Sequence, residues 1–357
     1  MNAAPLKLLM TADAVGGVWT YAVELGGALV ERGHRVALAV TGPRPSPAQR
    51  TLAEGAGLTL LPEELPLDWL CEGAEPVLHG GERLAELARS YHVLLLNSPA
   101  LAADARFTLP VIAVAHGEVG TWWNTVRGAN GGENPFGWLT DLIGRGLQRA
   151  AQVVTPTAAY AELLRERYRL PAMPVAVHNG RTTFALPQAK GEPPFALTVG
   201  RLWDGAKNIT VLDRAAAMTE VPIRAAGAVQ GPQGERAEVS YLQQLGSLSP
   251  NDLAALLAER PVFVTSAVYE PFGLAVLEAA QAGCPLVLSD IPTFRELWDG
   301  VATFVDPRDA EGFARAVEQP QVSGAAARER AARYTVSAMA DRMLGVIGNT
   351  MTTAHAA

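Results

Sequence analysis

Short apolar runs alternate along this chain with stretches in which apolar positions recur every three or four residues, and Gly, Pro, Asn and Asp fill the connections between them. That alternation predicts strands and helices in turn, the pattern of parallel α/β sheets. The run "LKLLMT" is followed by the loop "ADAVGG", a helix through "VWTYAVELGGALVER" closed by Gly33, and the strand "HRVALAV", which together make a βαβ unit. Further strands are predicted at "YHVLLLN", "PVIAVAH" and "AQVVTPT". Residues 178–195, "HNGRTTFALPQAKGEPPF", are rich in turn formers and mark a domain boundary. A second series follows with strands "FALTVG", "VPIRAAG", "PVFVTSA" and "CPLVLSD", and the reading closes on a helix-like "SAMADRMLGVIGNTM". The expected division is an N-terminal domain over 1–180, a second over 181–333, and a helix within 334–357 packing back towards the first domain. The expected fold class is α/β, two facing Rossmann-like parallel-sheet domains. Their C-terminal strand ends should line one cleft, the usual ligand location in such sheets, with a hinge near residues 180–194 that closes on ligand.

Composition narrows the functions available. The chain has 357 residues, 49% of them hydrophobic and 18% charged, enough for two domains with full cores. A net charge of -7 gives no basic field for a nucleic-acid backbone or an anionic membrane surface. Cys71 and Cys284 stand far apart outside any C-x-x-C arrangement, so neither a disulfide framework nor a thiolate metal site is expected. With no signal-peptide pattern and no run of ~20 apolar residues, a soluble cytoplasmic protein is expected.

The segment "VYEPFGLAVLEAAQAGC" carries the most chemistry. Pro271 and Gly273 make a turn, "LAVLEAAQ" reads as a helix stopped by Gly283, and the amides from Phe272 to Leu274 are left free to hold phosphate or sugar oxygens. Glu278 shares the inward stripe of Leu274 and Leu277, where a carboxylate needs partners such as the vicinal hydroxyls of a ribose. Glu270, at the turn, could accept from a sugar hydroxyl. From spacing alone the ordinary alternative stays open: a Glu at a helix start and a Glu on a partly exposed face.

The stretch "YEPFGLAVLEAAQAGCPLVLSDIPTFREL" resembles the signature of retaining glycosyltransferases of family 4, which have the GT-B fold and two glutamates separated by seven residues. The similarity continues through "LGSLSPNDLAALLAERPVFVTSA", "LTVGRLWDGAKNI", "VHNGR" and the glycine-rich opening "GGVWTYAVELGGALVERGHRV". The resemblance implies that Arg201 and Lys207 bind a donor diphosphate, that Glu278 binds its ribose, and that Glu270 with the amides of Phe272, Gly273 and Leu274 binds the donor sugar. It also places His116 near that sugar. Where the family commonly has an acid followed by Lys-Gly, this loop reads Asp204, Gly205, Lys207, Asn208.

Gly16 and Gly17, opening the first helix, would let backbone amides approach a phosphate or sugar. With no G-x-G-x-x-G fingerprint, no acid closing "VALAVTG" and no Walker A sequence, a nicotinamide cofactor or a P-loop is disfavoured. Absence of D-x-D and H-E-x-x-H predicts catalysis with neither metal nor cofactor. The reaction implied is retaining hexosyl transfer from a nucleoside-diphosphate sugar, UDP-sugar ahead of GDP-sugar, by a front-face route in which the leaving diphosphate takes the acceptor proton. A non-catalytic nucleotide-sugar sensor and an epimerase or phosphorylase of the same fold are the alternatives. Residues 117–138 should form a loop in which Trp122 and Trp123, extended and pointing to opposite sides, offer an acceptor platform with Arg127 and Glu133 as polar contacts. The acidic chain favours a soluble or small acceptor over a membrane lipid, and leaves the acceptor's identity and any oligomer open.

Overall fold

The computed structural model describes residues 5–128, 134–192, 194–232 and 234–356. The chain divides into two compact units: Met1–Gly180 with Thr335–Ala357, and Arg181–Tyr334. The first unit holds a parallel sheet of seven strands: β1 (Lys7–Asp13), β2 (Arg35–Thr41), β3 (Thr59–Leu60), β4 (Val93–Leu96), β5 (Val111–Val114), β6 (Gln152–Thr155) and β7 (Val175–Ala176). Their order is β3-β2-β1-β4-β5-β6-β7, so the winding reverses between β1 and β4, where Leu8 pairs with Val93 and Met10 with Leu95. Reversal leaves a crevice at the carboxyl ends of these strands, because the connections depart to opposite faces.

The second unit repeats the scheme with β8 (Ala196–Val199), β9 (Ile223–Ala226), β10 (Gln243–Gly246), β11 (Val262–Thr265), β12 (Leu286–Ser289) and β13 (Thr303–Val305). Here the order β10-β9-β8-β11-β12-β13 reverses between β8 and β11. Side-chain alternation along these strands feeds two cores: Phe263, Leu286 and Leu288 enter one with Leu277, Phe294 and Trp298, while Val264 and Val287 enter the other with Leu212 and Phe313. Both faces are buried, which is why the strands read as continuous apolar runs.

The core of the first unit packs Leu8 and Met10 of β1 and Leu25 and Leu29 of the Gly17–Glu31 helix against Met339, Ala340, Met343 and Ile347 of the Val336–Ala356 helix. At the crossover the chain is tight: a Cβ on Gly180 would stand 2.2 Å from the Thr335 carbonyl oxygen, so only glycine fits. The Gly180 amide donates to Met339 Sδ at 3.3 Å, and in the second unit Arg181 N donates to Tyr334 O at 3.3 Å.

Several expectations need revision. β1 runs two residues past "LKLLMT" and delivers Asp13 at its end. The edge strands β3, β7 and β10 carry little apolar signal, β10 being "QQLG" with no buried residue. The segment expected as an extended loop is in part a helix, Val119–Arg127. Trp122 and Trp123 therefore do not project to opposite sides; successive helical positions turn by about 100°, and the rings lie 6.2 Å apart. Glu133, the expected polar contact, lies outside the described residues. Among the described residues no helix is long and apolar enough to cross a membrane.

Candidate active site

In the second unit the site grows from the carboxyl ends of β8 and β11. After β8 the chain passes Arg201 and makes a short 3-10 turn, Gly205–Lys207, before the Ile209–Ala216 helix. Asp204 is buried and shapes this turn: Oδ1 accepts from Ala206 N at 2.9 Å and Oδ2 from Arg201 Nη2 at 2.9 Å. Asn208, with φ of 51°, bridges the loop to the neighbouring segments, its Nδ2 donating to Ser266 O at 3.1 Å and Pro307 O at 2.7 Å. Ser266 Oγ returns a bond to Asn208 O at 2.9 Å. The departure from the usual acid and Lys-Gly order thus has a local explanation, since Asp204 caps the turn and Asn208 takes the left-handed position commonly given to glycine.

This turn sets Lys207 Nζ against Glu270 Oε2 in an ion pair whose side chains are about four-fifths buried. Glu270 sits after β11, just before the Leu274–Ala282 helix. That helix opens on Gly273, with φ of 89° and no side-chain cap, so its first amides take no capping bond from a side chain at that position among the described residues. A Cβ at Gly273 would meet Phe294 at 3.1 Å and Glu270 Cγ at 3.3 Å, which reserves the position for glycine twice over. The Phe272 side chain is core, edge-on to Tyr334 at 6.0 Å, which leaves only its backbone for a ligand. Leu274 is half-buried at the first helical position. The helix ends as its sequence predicts, with Gly283 at φ 84° and Cys284 N donating to Ala279 O at 3.0 Å.

Glu278 is on this helix, and Arg181 Nε donates to its Oε1 at 2.7 Å. Arg181 was not singled out from sequence; it lay inside "VHNGR" with no periodic pattern to mark it. Arg201 is the exposed member of the set: its side chain is 58% accessible, and its guanidinium lies 5.5 Å from the Trp203 ring centroid. The two cations expected to act together are each paired with a separate carboxylate, Lys207 with Glu270 and Arg201 with Asp204.

In the first unit, Gly16 and Gly17 are exposed at the start of the first helix. Asp13 Oδ1 accepts from Val15 N and Gly16 N, each at 3.0 Å, and so fixes the turn. His116 stands two residues beyond β5, against Tyr21 with ring centroids 4.5 Å apart. Burial pushes its pKa down to about 4, so the ring is neutral at pH 7. Its tautomer follows from a chain of bonds. Asn97 Nδ2 donates to Thr11 O at 2.5 Å, which turns Asn97 Oδ1 towards His116 Nε2 at 2.7 Å. His116 Nε2 therefore carries the proton and Nδ1 is left as an acceptor. Nearby, burial and the charge of Asp68 raise Glu118 to about 8 against the pull of the His116 amide. Asp68 is itself raised by burial, though Ser98 Oγ donates to it at 2.7 Å. Asn97, Asp68 and Glu118 were not anticipated; the isolated polar residue at a buried strand end is the signal that could have found Asn97. Trp122 and Trp123 are half-buried, and Trp123 also meets Phe136 at 6.3 Å and Arg127 at 6.0 Å.

The chain resembles known proteins along most of its length. Residues 15–183 match the description Glycosyltransferase Family 4, and residues 193–320 match Glycosyl transferases group 1. Glycogen synthase from Mycobacterium tuberculosis is 28% identical, over 89% of this chain and 85% of that protein. The O-antigen chain mannosyltransferase B of Escherichia coli is 32% identical over a shorter stretch, 22% of this chain and 21% of that protein. Among solved structures, sucrose-phosphate synthase from Thermosynechococcus elongatus superposes with a TM-score of 0.76 at 18% identity, covering 98% of this chain and 100% of that one. The Anabaena protein HepE, solved with UDP-glucose, gives 0.72 at 18% identity, covering 96% and 100%. Two parallel α/β units with reversed strand order, and matched descriptions on both, lead to one conclusion: the chain is a glycosyltransferase of the GT-B type.

Proposed function

We propose that this enzyme moves a hexosyl group from a nucleoside-diphosphate sugar, a UDP-sugar by preference, to an acceptor hydroxyl with retention of configuration. The observation that carries the reading is the Lys207–Glu270 pair set against an uncapped helix start at Gly273. A cation, a carboxylate and free amides there can serve a diphosphate and a sugar hydroxyl together. Lys207 and Arg201 offset charge on the leaving diphosphate, Glu270 and the amides of Phe272, Gly273 and Leu274 hold the sugar, and Glu278 holds the ribose. In the first unit, the roles proposed are backbone amides of Gly16 and Gly17 for a donor phosphate or sugar and, for neutral His116, Nδ1 as acceptor to a sugar hydroxyl.

The bond from the sugar's anomeric carbon to the diphosphate oxygen breaks while the acceptor oxygen bonds the same face of that carbon. The acceptor proton passes to a diphosphate oxygen, so no base on the protein is required. Stabilisation of the departing charge is then the main work of the side chains. The reading includes independence from divalent metal. Trp122 and Trp123 are the proposed acceptor platform, suited to a soluble or small acceptor.

Incubation with UDP-glucose, UDP-galactose and GDP-mannose, followed by acceptor screening and NMR of the new anomeric centre, tests this reading. An α product from an α donor is expected, with rates unchanged in EDTA. An inverted product overturns retention, and chelator inhibition reversed by Mg²⁺ or Mn²⁺ overturns metal independence.

A further inference from the structure

Arg201 is more than half exposed, yet two groups define its place. Its Nη2 donates to Oδ2 of buried Asp204 at 2.9 Å, and its guanidinium carbon lies over the Trp203 ring, 5.5 Å from the centroid. Its Nε and Nη1 make no hydrogen bond to another described residue. The indole is held in turn. Trp203 is half-buried, its amide donates to Ala228 O at 3.3 Å, and its ring packs on Gly231, where a Cβ would stand 2.8 Å from Cδ2 and 2.9 Å from Cε3. Gly231 belongs to a short hairpin: its amide donates to Glu235 O at 2.8 Å, Ala237 N donates to Val229 O at 2.9 Å, and Gln230 pairs with Arg236 in antiparallel register. The hairpin carries the indole, and the indole carries the guanidinium.

An exposed arginine samples many rotamers, and a ligand that needs its fork of donors must first arrest it. A carboxylate on one nitrogen and an aromatic ring at cation–π distance remove part of that freedom beforehand, since a guanidinium both bonds and stacks. We propose that Trp203 is a positioning residue for donor binding: its ring holds the Arg201 guanidinium so that Nε and Nη1 meet the donor diphosphate. Gly231 is the seat of that ring, because any side chain there would push the indole away. This inference rests on the reading of Arg201 as a diphosphate ligand, and the two separate in one experiment.

Binding of UDP and GDP is measured by calorimetry on the wild type, Trp203→Leu, Trp203→Phe, Arg201→Ala and the variant combining Trp203→Leu with Arg201→Ala. Leucine fills part of the space without an aromatic face, whereas phenylalanine keeps one. Trp203→Leu is expected to weaken UDP about threefold to fivefold, the scale of one partly exposed cation–π contact, and Trp203→Phe to stay within about twofold of the wild type. In the Arg201→Ala background Trp203→Leu should leave UDP affinity unchanged, because the side chain that the ring holds is gone. If thermal melting shows that Trp203→Leu unfolds early, Gly231→Ala replaces it: the added methyl displaces the ring without removing it, and the same loss is expected.

If Arg201→Ala leaves UDP and GDP affinity unchanged, the diphosphate reading of Arg201 falls and the inference with it. If Arg201→Ala weakens UDP while Trp203→Leu does not, that reading stands and the inference is overturned. Equal losses from Trp203→Leu with and without Arg201 also overturn it, since that is the mark of general damage or of a direct contact between the indole and the nucleotide. So does a Trp203→Phe enzyme that binds UDP as weakly as Trp203→Leu, because the aromatic face is then not what acts.

Discussion

Lys207 and Arg201 differ in their surroundings, and this makes their proposed roles separable. Lys207 is mostly buried against Glu270, so Lys207→Ala removes that carboxylate's cation, whereas Arg201 is more than half exposed and its loss leaves Asp204 still accepting from Ala206 N. Each alanine variant is expected to lower kcat by ~100-fold, the scale of a lost preorganised donor. Lys207→Ala should lower Tm more than Arg201→Ala, since Glu270 loses its buried cation while buried Asp204 keeps its amide donor, and a thermal melt beside a turnover assay checks both. The buried groups of the first unit make a pH prediction. His116 has its folded pKa lowered from 6.5 to about 4, so its neutral form contributes stability above 6.5 that is lost as pH falls towards 4. Glu118 is raised from 4.5 to about 8, so its protonated form contributes stability below 4.5 that is lost as pH rises to 8. The two slopes oppose between 4.5 and 6.5, and above 6.5 only the Glu118 slope remains. Tm should therefore fall between pH 6.5 and 8, and Glu118→Gln should flatten that fall; an unchanged slope in the variant refutes the assignment.

Single elements show where pattern reading succeeds and where it stops. The Leu274–Ala282 helix was legible because a turn with Pro271 and Gly273, an apolar stripe and a glycine stop all agree. What the pattern cannot give is which partner each polar side chain takes. The pairs Lys207–Glu270 and Arg181–Glu278 span 63 and 97 residues and leave no local trace. The Val119–Arg127 helix was missed because "VRGANGGENPFG" weights the segment towards turns, while the helix itself is short and only Gly120 and Thr121 are buried. Gly273→Ala forces a strained φ and a contact at 3.1 Å, so a loss of stability on the order of 1–3 kcal/mol and weaker donor binding are expected by denaturant melts and calorimetry. On the short helix, Trp123 is braced by Phe136 and Arg127. Trp123→Ala should therefore lower Tm, whereas Trp122→Ala should keep donor hydrolysis and lose transfer. Normal transfer by a folded Trp122→Ala enzyme moves acceptor recognition elsewhere.

Across the whole molecule, the parallel α/β character of both sheets was legible in the succession of apolar runs, because parallel strands covered on both faces must be apolar throughout, whereas the strand order with its reversal leaves no trace in such runs. Polar edge strands such as β10 carry no such obligation and escaped notice. The division of the chain has its own consequence for stability. A fragment ending at Tyr334 lacks Met339, Ala340, Met343 and Ile347, which close the core of the first unit. That fragment is expected to lose the cooperative melt of the first unit and to aggregate, whereas residues 181–334 alone should fold and bind UDP weakly. Circular dichroism and calorimetry on the two fragments check this, and a stable first unit without the Val336–Ala356 helix contradicts it.

The same crossover dictates an order of events during synthesis. The ribosome delivers all strands of the first sheet early, yet the residues that seal its core against the Gly17–Glu31 helix come only after the second unit. The second unit is delivered whole in between, so it can finish folding while the first waits with an apolar face open. In a growing polypeptide the part made first is completed last. The interval before the Val336–Ala356 helix arrives is when this protein is most exposed to chaperones, proteases and its own neighbours on a polysome.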